Sequence, residues 1–239
     1  MGLILLAPFS TSTAAAPAAE RTIIAELEPR AVRPERLAPM VVFEPDLAGP
    51  VDWTPVQQRL SPELSCFAAP ARRDADDALG RLIRQFEQFD ARTPVVLTAR
   101  GAAAPAVEAF AALHRDRVAG LVLVDPAPAL ASSDEAQTLK AGGVRKAELD
   151  PWRAAAERAL AAGPLNRDLP VAVVLSRGGP EAWRAVQTAP AKRSHAGYLA
   201  TVETRAGRRF DAALAEAVAR AVRHVRRLAV EPPMARAFG

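Results

Sequence analysis

The chain has 239 residues, half of them hydrophobic and 24% charged, with a net charge of +4, which suits one α/β domain with a large core. Only three of its 31 basic residues are lysine (Lys140, Lys146, Lys192), and basic residues are not interleaved with aromatic ones, a pattern that argues against nucleic acid as a partner. No stretch approaches 18 consecutive apolar residues, so no membrane-spanning helix is expected; the single cysteine, Cys66, rules out an intrachain disulfide, and no Cys/His spacing suggests a metal or cofactor.

In chain order, residues 1–20 read as a tail or a weak signal peptide. Gly2 to Phe9 is apolar and Ala14 to Ala18 offers a cleavage site, but no Lys or Arg precedes Arg21. A cytoplasmic location is favoured over export. Residues 21–239 read as a single domain. Thr22 to Leu27 is a plausible first strand, the proline-rich stretch Pro29 to Pro39 a loop, and Met40 to Phe43 a short buried strand. Asp52 to Leu60 is a helix with Asp52 as its N-cap. Leu64 to Ala68 is a strand in which Cys66 serves as a small apolar residue. Ala78, Leu82, Ile83, Phe86 and Phe89 recur at helical spacing within Asp74 to Phe89.

Val95 to Thr98 is a strand, Ala103 to His114 a helix and Gly120 to Asp125 a strand. Residues 127–168 carry helices at Ser133 to Lys140 and Pro151 to Ala161 and no strand signal, which makes this segment a lid-like insertion. Leu169 to Ser176 is a strand, Glu181 to Gln187 a short helix and Tyr198 to Glu203 a last strand. Phe210 to Leu228 is an amphipathic helix with Phe210, Leu214, Val218, Val222 and Val225 on one face. Strands alternating with helices, and strands rich in Val and Leu, predict a mostly parallel sheet covered on both faces. His114 and His224 fall on helices among charged residues and read as exposed.

The stretch Val95-Val96-Leu97-Thr98-Ala99-Arg100-Gly101-Ala102-Ala103, followed after a helix by Arg117-Val118-Ala119-Gly120-Leu121-Val122-Leu123-Val124-Asp125-Pro126, resembles the nucleophile-elbow region of α/β-hydrolases. Val41-Val42-Phe43-Glu44, then Trp53-Thr54-Pro55-Val56-Gln57, is similar to their oxyanion-loop strand and the helix after it. The resemblance covers about residues 22–229. It implies a three-layer α/β-hydrolase-like sandwich with a mostly parallel sheet and a small helical lid. No G-x-G-x-x-G follows any strand, which sets a Rossmann domain aside.

The chemistry of the family does not carry over position by position. The elbow pattern G-x-S-x-G reads Ala99-Arg100-Gly101-Ala102-Ala103 here, so Gly101 stands where the nucleophile belongs. The histidine position after the last strand is Arg208. The turn after Ser176 offers Glu181 but no aspartate, and the oxyanion loop carries Pro45 and Asp46, the latter repelling a developing oxyanion. The reading is a non-catalytic, degenerate member that binds a ligand or a protein partner of unknown kind. The alternative is a carboxylic-ester hydrolase with weak or relocated residues, for which Ser176, Asp125 and His195 are the candidates. Arg100, Arg177 and Arg208 near the old cleft, with backbone N–H groups at the start of the helix after Gly101, suit a small anionic or acyl ligand. Against this stands the plainer expectation that these arginines pair with carboxylates and fill the cleft.

Overall fold

A computed structural model describes residues 40–44, 51–61, 63–68, 80, 83–84, 94–127, 156–176, 181–204 and 210–230. All of these belong to one compact unit, Ala38–Gly239. The expected strand at Thr22 to Leu27, the helix at Ser133 to Lys140 and the tail 1–20 lie outside the described residues.

Six strands form one sheet: β1 (Met40–Phe43), β2 (Cys66–Ala68), β3 (Val95–Arg100), β4 (Val118–Val124), β5 (Val171–Leu175) and β6 (Gly197–Thr201). Their order is β2-β1-β3-β4-β5-β6, and every pairing is parallel. The interior strands β3, β4 and β5 are largely apolar and buried on both sides, as a parallel sheet covered by helices requires. The strand alternation sorts their side chains. Val96, Val122, Val124, Ala172 and Val174 face one core; Val95, Leu97, Ala99, Leu121, Leu123, Val173 and Leu175 face the other.

The first core is closed by α1 (Thr54–Leu60), through Val56 and Leu60, and by the long helix α4 (Ala212–Val230). On α4 the stripe Leu214, Val218, Val222 and Val225 is at most 1% exposed, and Phe210 just before it is buried. Asp211 starts this helix by accepting the Leu214 N–H at 2.8 Å. The second core is closed by α2 (Ala104–Leu113), through Ala104, Val107, Phe110 and Ala111, and by Ala191 of α3 (Glu181–Arg193). Alanines along α2 let it lie close on the sheet.

Several expectations are corrected. The helix expected over Glu181 to Gln187 continues to Arg193 and contains Pro190. Proline gives up one rung of the ladder, but the turn is kept by packing on β5 and β6 and by Thr188, whose hydroxyl donates to the Arg184 carbonyl at 2.8 Å. Trp53, not Asp52, holds the N-cap position of α1; Asp52 Oδ1 accepts the Thr54 N–H at 3.0 Å from one residue further out. Neither His114 nor His224 is fully exposed: their rings stack on Phe110 and Tyr198 at 4.5 and 4.8 Å. Burial and the Arg227 charge hold the His224 pKa below its usual value. Cys66 is half-buried in β2, and burial pushes its thiol up to about 11, which keeps it unreactive. Within the lid-like segment 127–168, residues 156–161 are helical.

Candidate functional site

In an open parallel sheet, ligands meet the carboxyl ends of the strands where the chain order reverses. Here that place lies between β1 and β3. After β1 the chain passes to α1 on one face; after β3 it passes to α2 on the other. That place is bordered by Glu44, which is fully buried, and by the turn at Gly101. The Glu44 N–H donates to the Thr98 carbonyl at 2.8 Å, and the Trp53 indole donates to the Glu44 carbonyl at 3.3 Å.

The turn after β3 is sharp. Arg100 keeps an extended backbone, Gly101 takes φ 55°, and residues Gly101–Ala103 form a single 3-10 turn that leads into α2. A φ in this left-handed region is where glycine is at home and where an L side chain is strained. The conformation is thus that of a strand-to-helix elbow, and the residue at its apex has no side chain. Ala102, Ala103 and Ala104 are 0% exposed, and the Gly101 carbonyl accepts the Ala127 N–H at 2.9 Å. The first turn of this helix is packed over rather than open to a ligand.

Beside the elbow, three of the sequence candidates meet. The Arg100 guanidinium lies 3.6 Å from Asp125 Oδ2 and is 5.0 Å from the ring centre of Phe210. Asp125 accepts the Ser176 N–H on Oδ1 at 2.7 Å and the Ser176 hydroxyl on Oδ2 at 2.5 Å. Its own backbone is left-handed, with φ 44°, a conformation that aspartate tolerates better than most residues. Arg100 is only 8% and Ser176 only 7% exposed. The three side chains form one hydrogen-bonded and charge-paired chain across the ends of β3, β4 and β5.

The relocated set Ser176, Asp125 and His195 does not assemble. Ser176 follows the carboxyl end of β5. His195 precedes β6, whose first residue Gly197 pairs with Val171 at the amino end of β5. The two are thus separated by the length of a five-residue strand, roughly 16 Å. His195 instead bonds Asp168 at 3.0 Å on the exposed surface. Arg177 and Arg208 lie outside the described residues, as do Pro45 and Asp46. Arg100 has Asp125 as a carboxylate partner, where the plainer expectation had arginines of the cleft paired with Glu44, Asp46 or Glu181.

Beside Arg100 lies an aromatic stack that the sequence pattern does not reveal. Phe43 and Trp53, and Trp53 and Phe210, have ring centres 4.9 Å apart. Phe210 stands just before α4, and this position, two residues after Arg208, was the available signal.

No protein-family model and no curated protein sequence matches the chain. Solved structures do. They include a thermophilic esterase from Thermogutta terrifontis at 15% identity, covering 82% of this chain and 91% of its own, with a TM-score of 0.49. An α/β hydrolase from Sphaerobacter thermophilus DSM 20745 is 14% identical over 77% of this chain and 92% of its own, with a TM-score of 0.47. Est1E from Butyrivibrio proteoclasticus is 17% identical over 83% and 89%, with a TM-score of 0.49.

Proposed function

From an α/β-hydrolase-like fold as premise, we propose that this chain is a non-catalytic member that acts as a ligand-binding or interaction module. The observation that carries the reading is Gly101 at the apex of the elbow, in the left-handed conformation and without a side chain. A serine hydrolase needs at that apex a nucleophile that a neighbouring base can deprotonate. Losing the nucleophile alone removes on the order of a million-fold in turnover. The candidate hydroxyl, Ser176, is tied to Asp125, and the histidine that would complete a relocated set lies at the opposite, amino end of the strands.

An assay with a p-nitrophenyl ester tests the reading. The unmodified chain and Gly101→Ser are both expected to give no turnover above buffer, since Arg208 holds the position of the base in either. Gly101→Ser is also expected to lose about 1 kcal/mol of stability, from placing a side chain at a positive φ. Turnover by the unmodified chain that Ser176→Ala abolishes would favour the relocated ester hydrolase instead.

A further inference from the structure

A cavity of about 450 Å³ lies on the face of the sheet covered by α2 and α3. It begins at Pro126 and Ala127, just after β4, and reaches Val171 and Ser194 near the amino end of β5. Its wall is mostly apolar, with Ala127, Ala159, Leu160, Leu165, Val171 and Val186 among its members. Two of its polar groups are already engaged. The Gln187 amide donates to the Pro126 carbonyl at 3.2 Å, and the Ser194 hydroxyl donates to the Leu169 carbonyl at 2.7 Å.

The charged groups facing this space are Glu108 from α2, Arg193 from the last turn of α3 and Arg167 from the loop before β5. Glu108 is half-buried, while the two arginines are exposed and stand at the mouth. Glu108 and Arg193 are close enough for the arginine to act on the carboxyl, yet they form no ion pair with each other. A carboxyl and a guanidinium from two helices thus line one apolar space without closing on one another. Two positive groups against one carboxyl give the space a net preference for an anion.

We infer that this cavity binds an apolar monocarboxylate, its hydrocarbon body on the Ala, Leu and Val wall and its carboxylate held between Arg193 and Glu108. Desolvation pushes the Glu108 carboxyl up to about 7, against the opposing pull of Arg193. Protonated, it donates a hydrogen bond to the bound carboxylate; ionised, it repels it. Binding therefore takes up a proton and weakens as pH rises above 7. An apolar ligand with a single polar head matches the composition of such pockets, where a few polar groups orient a molecule held by its hydrocarbon. The inference rests on the ligand-binding half of the reading above and puts the ligand in the space beside α2 and α3, whose wall includes Ala127.

Isothermal titration of the full chain with octanoate at pH 6 and pH 8 tests it, with octanol and octylamine as controls. Octanoate is ionised at both values, so a pH slope belongs to the protein. Octanoate is expected to bind at pH 6 and about tenfold more weakly at pH 8, as the protonated fraction of a carboxyl near 7 falls. Glu108→Gln, neutral throughout, is expected to bind equally at both. Arg193→Gln, at an exposed position, is expected to weaken octanoate about tenfold and to leave octanol unchanged. The inference is overturned by any of these results: no octanoate binding at pH 6, equal or tighter binding of octanol or octylamine, a slope that survives in Glu108→Gln, or unchanged affinity in Arg193→Gln. The wild-type slope and Arg193→Gln decide the matter should Glu108→Gln fail to fold. No measurement uses ester turnover. An active esterase would overturn the non-catalytic reading alone, and absence of binding would overturn this inference alone.

Discussion

Arg100, Asp125 and Ser176 show how a charge can be kept at the end of a buried strand. The Arg100 side chain is 10% exposed and its Asp125 partner 24%, so their attraction is only partly screened by solvent. Taking away one member leaves the other with its desolvation cost uncompensated. Asp125→Ala is therefore expected to cost about 3 kcal/mol, and Ser176→Ala about 1 kcal/mol, in urea denaturation. Losses of equal size would mean that Asp125 acts only through its bond to the serine hydroxyl. The sequence singled out Ser176 and Asp125 because each ends a strand and Arg100 because it sits in the elbow, but it paired Ser176 and Asp125 with His195. Strand ends can be read from the pattern of Val and Leu. Which end of the strands a loop histidine falls on depends on the direction of the strand beside it, and the parallel pairing of β6 with β5 puts His195, which precedes β6, at the amino ends. Glu108 was passed over for a related reason. It stands in Ala-Val-Glu-Ala-Phe, a lone acid among apolar residues on a helix that packs on the sheet, and only the packing of α3 and the 156–161 helix gives it a cavity to face.

At the scale of elements, β4 and α4 meet at Gly120. A Cβ added there would run into Val225 Cγ1 of the helix and sit 3.0 Å from the Pro170 carbonyl oxygen. The glycine lets the helix lie against the strand, which is the use of a small residue at a close approach. Gly120→Ala is expected to destabilise by about 2 kcal/mol through overpacking. Adding Val225→Ala should recover a substantial part of the loss, and a thermodynamic double-mutant cycle reads the coupling. Purely additive losses would mean that the Pro170 backbone, rather than the helix side chain, is the obstacle. The helical spacing of α4 was plain in the sequence because its stripe is long and regular. The extent of α3 was not, since Pro190 is a local stop signal that tertiary packing overrides.

For the whole molecule, the sheet grades from a dry centre to open edges. Strands β3 and β5 are buried throughout and β4 nearly so, while β6 alternates between exposed and half-buried and β2 is short. Native-state hydrogen exchange is expected to show the slowest amides in β3, β4 and β5, with β2 and β6 opening at lower free energy. Uniform protection across the six strands would contradict this grading. The parallel sheet and its two helical layers were legible because strands buried on both faces must be apolar without alternation, and this chain writes them so at Val95, Leu121 and Val171. The order of the strands within the sheet was not legible, since it depends on which strands pair across long loops.

Pro190 has a mechanical consequence. Its ring lacks the N–H that would bond the Val186 carbonyl, so α3 carries one weak joint near its middle. The two sides of that joint are moored separately: Gln187 is anchored to the end of β4 through Pro126, and the last turn is pressed against Gly197 at the start of β6. Arg193 rides on the second side and Val186 on the first, and both border the same cavity. The spacing between the charged mouth and the apolar wall is thus set by a compliant joint, and the helix can flex there while both of its moorings to the sheet stay in place.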